Sequence, residues 1–405
     1  MATVFSHHVV VGDEDTTSSW IGCPSWITLG QHEQEWNQKT VYIRLQKLST
    51  IAEDQEGRKP KTFYFEWLVD KDSEELSSSS SSSSSEDVNW EEGNLSLAMN
   101  KMPSDVPEMG SFSVALGTRI YVLCGLLHNP GPTSLYSFVP QTAVFSCDVA
   151  HPEEGWKRGP DLNFGRKDAS AVAINGKIYV FGGLAHISDW QKLPYTEVFD
   201  HALGKWISLS PPPADPFKIP NGIPIGDVVF PIGDVVFVPP LVHDAHPLPN
   251  GHILVYVDWA LLSYNIEADK YSLLDPYFDI ELSRGLAVVD NVLFCFKEDN
   301  LVWGYDLGKQ IWSLSPVMGL EREAFPSEVV LESFLIYLGG GRLCMVSYPY
   351  LDRTNSSTYD FSLYSIVFRV KKGTSLDGRD LYKASIESKK MYPVQGVQVV
   401  DCLAL

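Results

Sequence analysis

The sequence has no long hydrophobic run, no closely spaced cysteine pair and few basic residues. None of its 405 residues belongs to an apolar stretch of the roughly 20 residues that a membrane-spanning helix needs. The amino terminus lacks the basic and then apolar pattern of a secretory signal. The six cysteines are scattered, which excludes a visible disulfide framework or zinc spacing. We therefore expect a cytoplasmic or nuclear protein with reduced cysteines.

The charge balance narrows the classes of partner. The chain has 31 Lys and Arg against 51 Asp and Glu, a formal net charge of −20. Such a charge opposes binding to nucleic acid phosphates and to anionic lipid surfaces, so neither nucleic acid nor membrane is an expected partner. Hydrophobic residues make up 44% and aromatic residues 12% of the chain, enough for extensive packed layers. The remaining class of partner is other proteins.

Signatures of catalysis are also missing. The chain has no Gly-x-Ser-x-Gly turn, no His-Glu-x-x-His helix and no phosphate-binding loop. Among ten histidines the one ligand-like doublet is His243 with His246, in a proline-rich segment that we interpret as a surface loop. The sequence therefore predicts a protein that is not an enzyme and needs no metal or other cofactor.

What the chain does contain is a degenerate repeat. An aspartate or asparagine is followed six residues later by an aromatic residue in three copies, and eight residues later in a fourth. A proline follows each aromatic residue within five positions, which marks the end of a strand unit. The pairs are Asp148 and Trp156, Asp200 and Trp206, Asn265 and Tyr271, and Asp306 and Trp312.

Near-continuous apolar runs form the other half of each unit. We take five positions in these runs as equivalent: Ile120, Ile178, Ile253, Val292 and Leu335. Runs of this kind are typical of strands that are covered on both faces, as in a sheet packed between two other sheets. With a first sheet from strands near residues 41–45 and 62–69, the count is about six sheets, and five or seven remain possible. Strands near 363–370 and 394–401 could pair with the first sheet and close a ring.

These residues resemble the kelch repeats of β-propellers. Gly182, Gly183 and Trp206 match the whole motif, and Gly339 with Gly340 keep its glycine pair. The overall style is similar to plant kelch-type proteins related to the F-box/kelch group. The resemblance implies an all-β propeller that acts as a non-catalytic protein-interaction module, with the glycines, aspartates and tryptophans serving the fold.

Two alternatives follow from the same resemblance. Kelch-type propellers include a copper oxidase branch and an iron-dependent branch, so a metal-dependent or small-molecule site at the propeller axis is the first. The iron motif places an Asp four residues before a His, and no histidine here has that spacing. The second is a diverged ubiquitin-ligase substrate adaptor that has lost its F-box, since residues 1–40 do not resemble one.

Composition divides the chain further. We expect an N-terminal extension over 1–40 and a propeller over 41–405, with a disordered acidic loop over 70–92. That loop contains nine consecutive serines, Ser77 to Ser85, which are either a slippage product or phosphoacceptors for an acid-directed kinase.

A seven-residue segment is duplicated in tandem. Residues 224–230 are repeated at once as 231–237, and we expect one copy to lie in a loop.

Three arginines precede apolar strands by similar distances. Arg166, Arg284 and Arg322 lie 12, 8 and 13 residues before Ile178, Val292 and Leu335. If those strand entries share one face of the ring, the arginines would form a basic patch for an acidic or phosphorylated peptide. The alternative is that each pairs with local carboxylates such as Asp168, Glu321 and Glu323.

Overall fold

The structure is a computed structural model in which regular structure is almost entirely β-strand. It describes residues 27–29, 39–50, 61–70, 88–103, 106–107, 110–128, 138–183, 195–201, 203–211, 224–225, 228–229, 242–248, 250–257, 260–278, 280, 285–297, 299–320, 331–349, 359–396 and 398–405. Within those ranges the one named helix is a 3-10 turn, Pro152–Glu154. No described helix has the length and apolar character needed to cross a bilayer.

Six sheets, each built around four antiparallel strands, form six blades. Blade 1 contains three strands from the beginning of the chain and one from its end. It consists of β2 (Val41–Thr50), β3 (Lys61–Asp70), β5 (Leu95–Leu97) and β30 (Gln398–Ala404), in the sheet order β30, β2, β3 and β5. Two short strands from the same part of the chain, β1 (Ile27–Thr28) and β4 (Glu91–Glu92), pair with blade 6.

Blades 2 and 3 follow in chain order. Blade 2 has β6 (Phe112–Leu116), β7 (Arg119–Leu123), β10 (Val144–Asp148) and β11 (Lys157–Arg158). A two-stranded hairpin, β8 (Leu126–His128) with β9 (Phe138–Pro140), lies between its second and third strands. Blade 3 has β12 (Ser170–Ile174), β13 (Lys177–Phe181), β14 (Thr196–Asp200) and β15 (Lys205–Ser208).

Blades 4 to 6 complete the ring. Blade 4 has β18 (Val242–Pro247), β19 (His252–Val257), β20 (Ala260–Asn265) and β21 (Lys270–Asp275). Blade 5 has β22 (Ala287–Val289), β23 (Val292–Phe296), β24 (Val302–Asp306) and β25 (Ile311–Trp312). Blade 6 has β26 (Leu331–Gly339), β27 (Arg342–Pro349), β28 (Tyr359–Thr374) and β29 (Asp380–Gly396), flanked by β1 and β4.

The hydrophobic core is divided among the blade interfaces. Six clusters of buried residues each combine two neighbouring blades, for example Trp67 of blade 1 with Ile120 of blade 2, and Leu254 of blade 4 with Leu293 of blade 5. Apolar strands covered on both faces are therefore packed between sheets, as the sequence predicted. The expected all-β propeller of six blades is confirmed.

Ring closure follows the expected route through the two ends of the chain. Strand β30 pairs with β2, with Ile43 opposite Cys402 and Leu45 opposite Val399. Two backbone hydrogen bonds between Thr40 and Leu405, of 2.7 and 3.0 Å, extend this pairing. The last strand of the chain is thus the innermost strand of the first blade.

The ring has two different ends. At the turn end, short turns such as Asn175–Gly176 join the first strand of a blade to the second. At the loop end, longer connections enter each first strand, as between β11 and β12. This arrangement is repeated because every blade is an antiparallel meander with its first strand at the axis.

The repeated aspartates have one local role, which explains the pattern in the sequence. Each ends the third strand of its blade and accepts a backbone N–H from the turn that follows. Oδ1 of Asp148 accepts from Ala150 at 3.1 Å, and Oδ1 of Asp200 accepts from Leu203 at 3.1 Å. Asn265 and Asp306 do the same in blades 4 and 5. Side chains of this type stabilise tight turns by such bonds.

In the last repeat, the position that the sequence analysis took as equivalent lies on a different strand of its blade. Ile120, Ile178, Ile253 and Val292 all lie on second strands, whereas Leu335 lies on the first strand of blade 6. Gly339 accordingly ends β26, and Gly340 lies in the turn between β26 and β27. The second strand of blade 6 also begins with an apolar run, so two adjacent strands compete for the same pattern.

Two segment boundaries differ from the predicted ones. Residues 27–29, assigned to the extension, add a strand to β28, and Leu29 is buried in the core between blades 5 and 6. Asp70 ends β3, and Glu91 and Glu92 form β4 along β29, so both ends of the predicted 70–92 loop are part of the fold. The first copy of the duplication forms the hairpin β16 (Pro224–Ile225) and β17 (Val228–Val229), outside the blades. The second copy lies outside the described residues.

Candidate functional site: the axial channel

A cavity of about 430 Å³ runs along the axis of the ring. It is lined by the first strands of the blades, among them β6, β12, β18, β26 and β30. The lining includes consecutive residues of these strands, such as 111–115, 169–173 and 334–337, because the edge of each inner strand faces the axis. The lining is mostly small or apolar, with a few ionisable side chains whose positions decide what the channel can bind.

Asp244 on β18 joins three blades at the channel wall. Its carboxylate accepts N–H bonds from its neighbour Ala245 and from Gly285 and Leu286 at the entry to blade 5, and it meets the Ser170 hydroxyl of blade 3 at 3.4 Å. Burial nevertheless raises the pKa of this carboxyl to about 7, because the hydrogen bonds only partly replace lost water. Asp244 is therefore divided between its two protonation states near neutral pH.

His246 lies two residues further along the same strand and faces the same channel. Its Nε2 is 3.3 Å from the Val288 amide of blade 5, and its ring centroid is 6.4 Å from that of Tyr337. Burial lowers the pKa of this imidazole to about 4, so the ring is neutral at physiological pH. The sequence interpretation of His246 as part of a surface loop is wrong, because β18 is an inner strand.

Lys39 and Tyr337 lie where the first strands end, at the turn end of the channel. The Lys39 ammonium is 5.8 Å from the centre of the Tyr337 ring. Burial of this amine lowers its pKa, and within the described part of the chain it makes no ion pair. We call Lys39, His246 and Tyr337 the channel mouth. It combines a cation with two rings in a protein of strongly negative charge.

A second ionisable pair lies on the opposite side of the channel. Arg44 on β2 is completely buried and donates to the hydroxyls of Ser111 and Ser113, at 2.9 and 3.0 Å. Burial lowers its pKa to about 10, while the charge of Asp401 on β30 acts in the other direction. Asp401 has its own pKa raised by burial. The pair joins the closing strand β30 to blade 2.

The ionisable groups of the channel wall mostly bond to other blades. Among the residues that the structure describes, no cluster of three His, Cys, Asp or Glu side chains could hold a metal ion. Asp244 and His246 each bond to backbone groups of blade 5, so both positions join blades together. The charged group that remains for a ligand at the mouth is Lys39.

The structure places Arg166 in the interior of the protein. Its side chain is 4% exposed and pairs with Glu197, whose side chain is completely buried, at 2.8 Å. It also donates to the carbonyl oxygens of Gly182 and Tyr195. The partner is thus a carboxylate from the third strand of blade 3, and the guanidinium holds the loop-end connection against the glycine pair.

The other predicted interaction residues lie outside the part of the chain that the structure describes. Arg284 and Arg322 lie outside the described residues, as do the predicted phosphoacceptors Ser77 to Ser85. The basic patch and the phosphorylation of the serine tract therefore stay predictions.

The kelch-type glycines and tryptophans occupy positions that hold neighbouring blades together. Gly182 and Gly183 both have positive φ, 63° and 83°, and a side chain on Gly182 would meet Val242 of blade 4. Three tryptophans, which lie on the fourth strand of a blade or just before it, contact the preceding blade. Nε1 of Trp156 donates to the carbonyl oxygen of Asn100 at 2.9 Å, and Nε1 of Trp206 donates to that of Pro160 at 3.0 Å. Trp312 stacks on Phe278, with ring centroids 5.2 Å apart.

A family model of the kelch motif matches residues 165–213, which contain the four strands of blade 3. The chain is a six-bladed β-propeller, and its third blade is a kelch motif. It is similar to two proteins of Arabidopsis thaliana, F-box/kelch-repeat protein At4g29370 and putative F-box/kelch-repeat protein At4g39756. Both are 26% identical to it, over 52% and 51% of this chain and 47% and 44% of their own lengths.

Another relative is more alike over a shorter region. Putative F-box/kelch-repeat protein At3g46050 of the same plant is 32% identical over 25% of this chain and 24% of its own length. The chain spans about half the length of the first two relatives that it matches.

The sequence analysis missed most residues of the channel. Asp244 and His246 alternate within the stretch Val-His-Asp-Ala-His-Pro, and that period of two is a signal for one shared face. Prolines on both sides concealed it. Lys39 carried no signal, because it faces the channel only through the pairing of β2 with β30.

Proposed function

We propose that this kelch propeller is a non-catalytic protein-interaction module that binds a partner protein at its turn end. The observation that carries the proposal is the channel mouth, where the Lys39 ammonium lies beside Tyr337 and has no acidic partner in the described part of the chain. A cation and an aromatic ring at the rim of a channel suit an inserted loop that carries a carboxylate.

The similarity to F-box/kelch-repeat proteins supports a more specific role. We propose that the bound protein is a substrate for ubiquitin transfer and that the propeller supplies the recognition part of such an adaptor. Relatives named for both an F-box and kelch repeats support this, since about half of their length corresponds to the propeller.

Proximity labelling in plant cells tests the proposal with two matched variants. A Lys39→Glu, Tyr337→Ala variant changes the channel mouth, whereas Lys205→Glu changes an exposed lysine on the outer strand β15. We expect the first variant to lose specific neighbours that the second retains, and a ubiquitin-ligase scaffold to be among the neighbours of the wild type. If the two variants keep the same neighbours as the wild type, the turn end is not the binding surface. If no scaffold is labelled, the adaptor role is wrong.

A second candidate function is small-molecule binding in the axial channel. Its volume of about 430 Å³ falls within the range of ligand sites, and the shifted pKa values of Asp244 and His246 are of the kind found at functional sites. Native mass spectrometry and elemental analysis for copper and iron on protein purified from the plant would detect such a ligand. An unmodified, metal-free mass would reject it.

A further inference from the structure

A second cavity, of about 250 Å³, lies between blades 6 and 1 near the turn end. Blade 1 contributes Lys39 and Asp70, and blade 6 contributes Arg342, Glu387 and Lys390. We call it the Arg342 pocket. Its volume is below the range typical of drug-sized ligand sites, so it suits a single side chain or a small ion.

Both acidic groups of the pocket are already paired. Nζ of Lys390 is 2.6 Å from the Asp70 carboxylate, which also accepts a hydrogen bond of 3.0 Å from the Tyr392 hydroxyl. Glu387 accepts from Nε of Arg369 at 2.7 Å. These carboxylates therefore leave the remaining cations of the pocket without compensation.

Arg342 is the first of those cations. Its Nε is buried and has no hydrogen-bond partner among the described residues. Within the same part of the chain the guanidinium makes no ion pair, and the residue opposite it across the strands is Arg369, a like charge. A buried donor without a partner is destabilising, so a ligand that accepts a hydrogen bond from it is favoured.

Lys39 is the second cation. It lines the Arg342 pocket as well as the axial channel, and neither cavity offers it a carboxylate among the described residues. Burial lowers the pKa of its ammonium, as expected for a cation that lacks an anion nearby. The two uncompensated cations thus share one small cavity.

We propose that the Arg342 pocket binds the oxyanion of a phosphorylated or acidic peptide side chain, with Arg342 and Lys39 as its ligands. A guanidinium presents several donors in a plane, which matches phosphate and carboxylate oxygens, and a lysine adds a point charge. As an anion site the pocket stands by itself. As a site for a partner's peptide it rests on the proposed function of the turn end.

The test compares two variants that remove one arginine each. Arg342→Gln removes the pocket cation, whereas Arg158→Gln removes an exposed arginine that pairs with Asp161 on blade 2. Calorimetry with an acidic phosphoserine peptide, its unphosphorylated form and inorganic phosphate measures binding. We expect at least a tenfold loss of phosphopeptide affinity in Arg342→Gln, partial recovery in Arg342→Lys, and less than a twofold change in Arg158→Gln. Equal affinity in the wild type and Arg342→Gln, or equal losses in Arg342→Gln and Arg158→Gln, would overturn the site.

NMR of the lysine side chains gives a second readout that does not depend on peptide sequence. Adding inorganic phosphate should raise the pKa of Lys39 in the wild type and leave it unchanged in Arg342→Gln. An unchanged Lys39 pKa in the wild type at a saturating phosphate concentration contradicts the role of this lysine. If the wild type binds phosphate but has no specific protein neighbours in cells, the proposed function is wrong and the anion site remains.

The same chemistry has two sources, a partner peptide and this chain's own serines at 77 to 85, which follow Asp70 in sequence. The chain is treated with an acid-directed kinase and then titrated with the phosphopeptide, beside a variant in which serines 77 to 85 are alanine. Weaker peptide binding in the phosphorylated wild type alone assigns the pocket to the chain's own phosphates. Equal binding in both assigns it to a partner.

Discussion

At the scale of single residues, Arg166 and Glu197 are a buried ion pair on which a whole connection depends. Removing one partner leaves an uncompensated charge, which costs about 3–5 kcal/mol in proteins. We predict that Arg166→Met or Glu197→Gln lowers the free energy of unfolding by about that amount in urea titrations. The double variant Arg166→Met, Glu197→Met should be less destabilised than the sum of its single variants.

The exposed pair of Arg158 and Asp161 is the matched control, because its two side chains are 55% and 45% exposed. Breaking an exposed pair costs at most about 1 kcal/mol. Equal losses for Arg158→Gln and Arg166→Met would contradict the structural role of the buried pair.

Asp244 and His246 make opposite contributions to the dependence of stability on pH. The pKa of Asp244 is raised to about 7 in the folded protein, so its contribution to stability decreases as pH rises from about 4 to 7. The pKa of His246 is lowered to about 4, so its contribution increases as pH rises from about 4 to 6.5. The two effects offset each other in the wild type.

Single variants separate the two effects. We predict that Asp244→Asn, which resembles the protonated acid, makes stability rise more steeply with pH between about 4 and 7 than in the wild type. His246→Gln should make it fall relative to the wild type over the same window. The measurement is the urea midpoint at each pH. If both variants shift the profile in the same direction, the assigned protonation states are wrong.

Residues differ in how much their sequence context reveals. Asp200 and Trp206 were predicted because their role is local: one ends a strand and the other lies on the next. Asp244 and Arg342 were not, because their surroundings come from strands of other blades that the ring brings together. The candidate site consists almost wholly of residues of the second kind, and the alternation of Asp244 with His246 is the one local pattern that points to it.

At the scale of elements, β30 is the piece on which closure depends. It covers Ile43 and Leu45 of blade 1 and carries Asp401 to the channel. We predict that a chain ending at Gly396 loses its cooperative thermal transition, and that a synthetic peptide of residues 397–405 restores part of it. Leu376→Ser, at the exposed tip of the β28–β29 hairpin, is the control and should melt like the wild type. A normal transition without β30 would contradict closure by this strand.

Most elements could be predicted because each buried strand is an apolar run that ends in a turn residue. The last repeat could not, since β26 and β27 are both long and apolar and either fits the second-strand pattern. Strand β1 was missed because two residues are too few to show a period. What decides its place is the free edge of β28 at Lys371 and Lys372, which is a property of the fold.

At the scale of the whole molecule, a closed ring has no required starting point. Thr40 and Leu405 are joined by two backbone hydrogen bonds, so a short linker can connect them without strain. The turn Asn175–Gly176 joins adjacent strands of blade 3, and both residues are exposed. Cutting there moves the site of closure from blade 1 to blade 3 and leaves all six interfaces in place.

We therefore predict that a circular permutant that starts at Gly176 folds into the same ring. In it a Gly-Ser linker joins Leu405 to Lys39, and the new chain ends at Asn175. Its control is the linear chain 39–405, which lacks β1 equally. We expect the two to have the same radius of gyration by X-ray scattering. Their thiols at Cys124, Cys295 and Cys344, whose pKa values burial raises, should be equally protected from a thiol reagent.

In the permutant, removal of the β30 residues should cost much less cooperativity than in the linear chain, because blade 1 is then covalently continuous on both sides. An expanded or thiol-reactive permutant would show that stability depends on closure at blade 1 itself and not on a ring of equivalent interfaces.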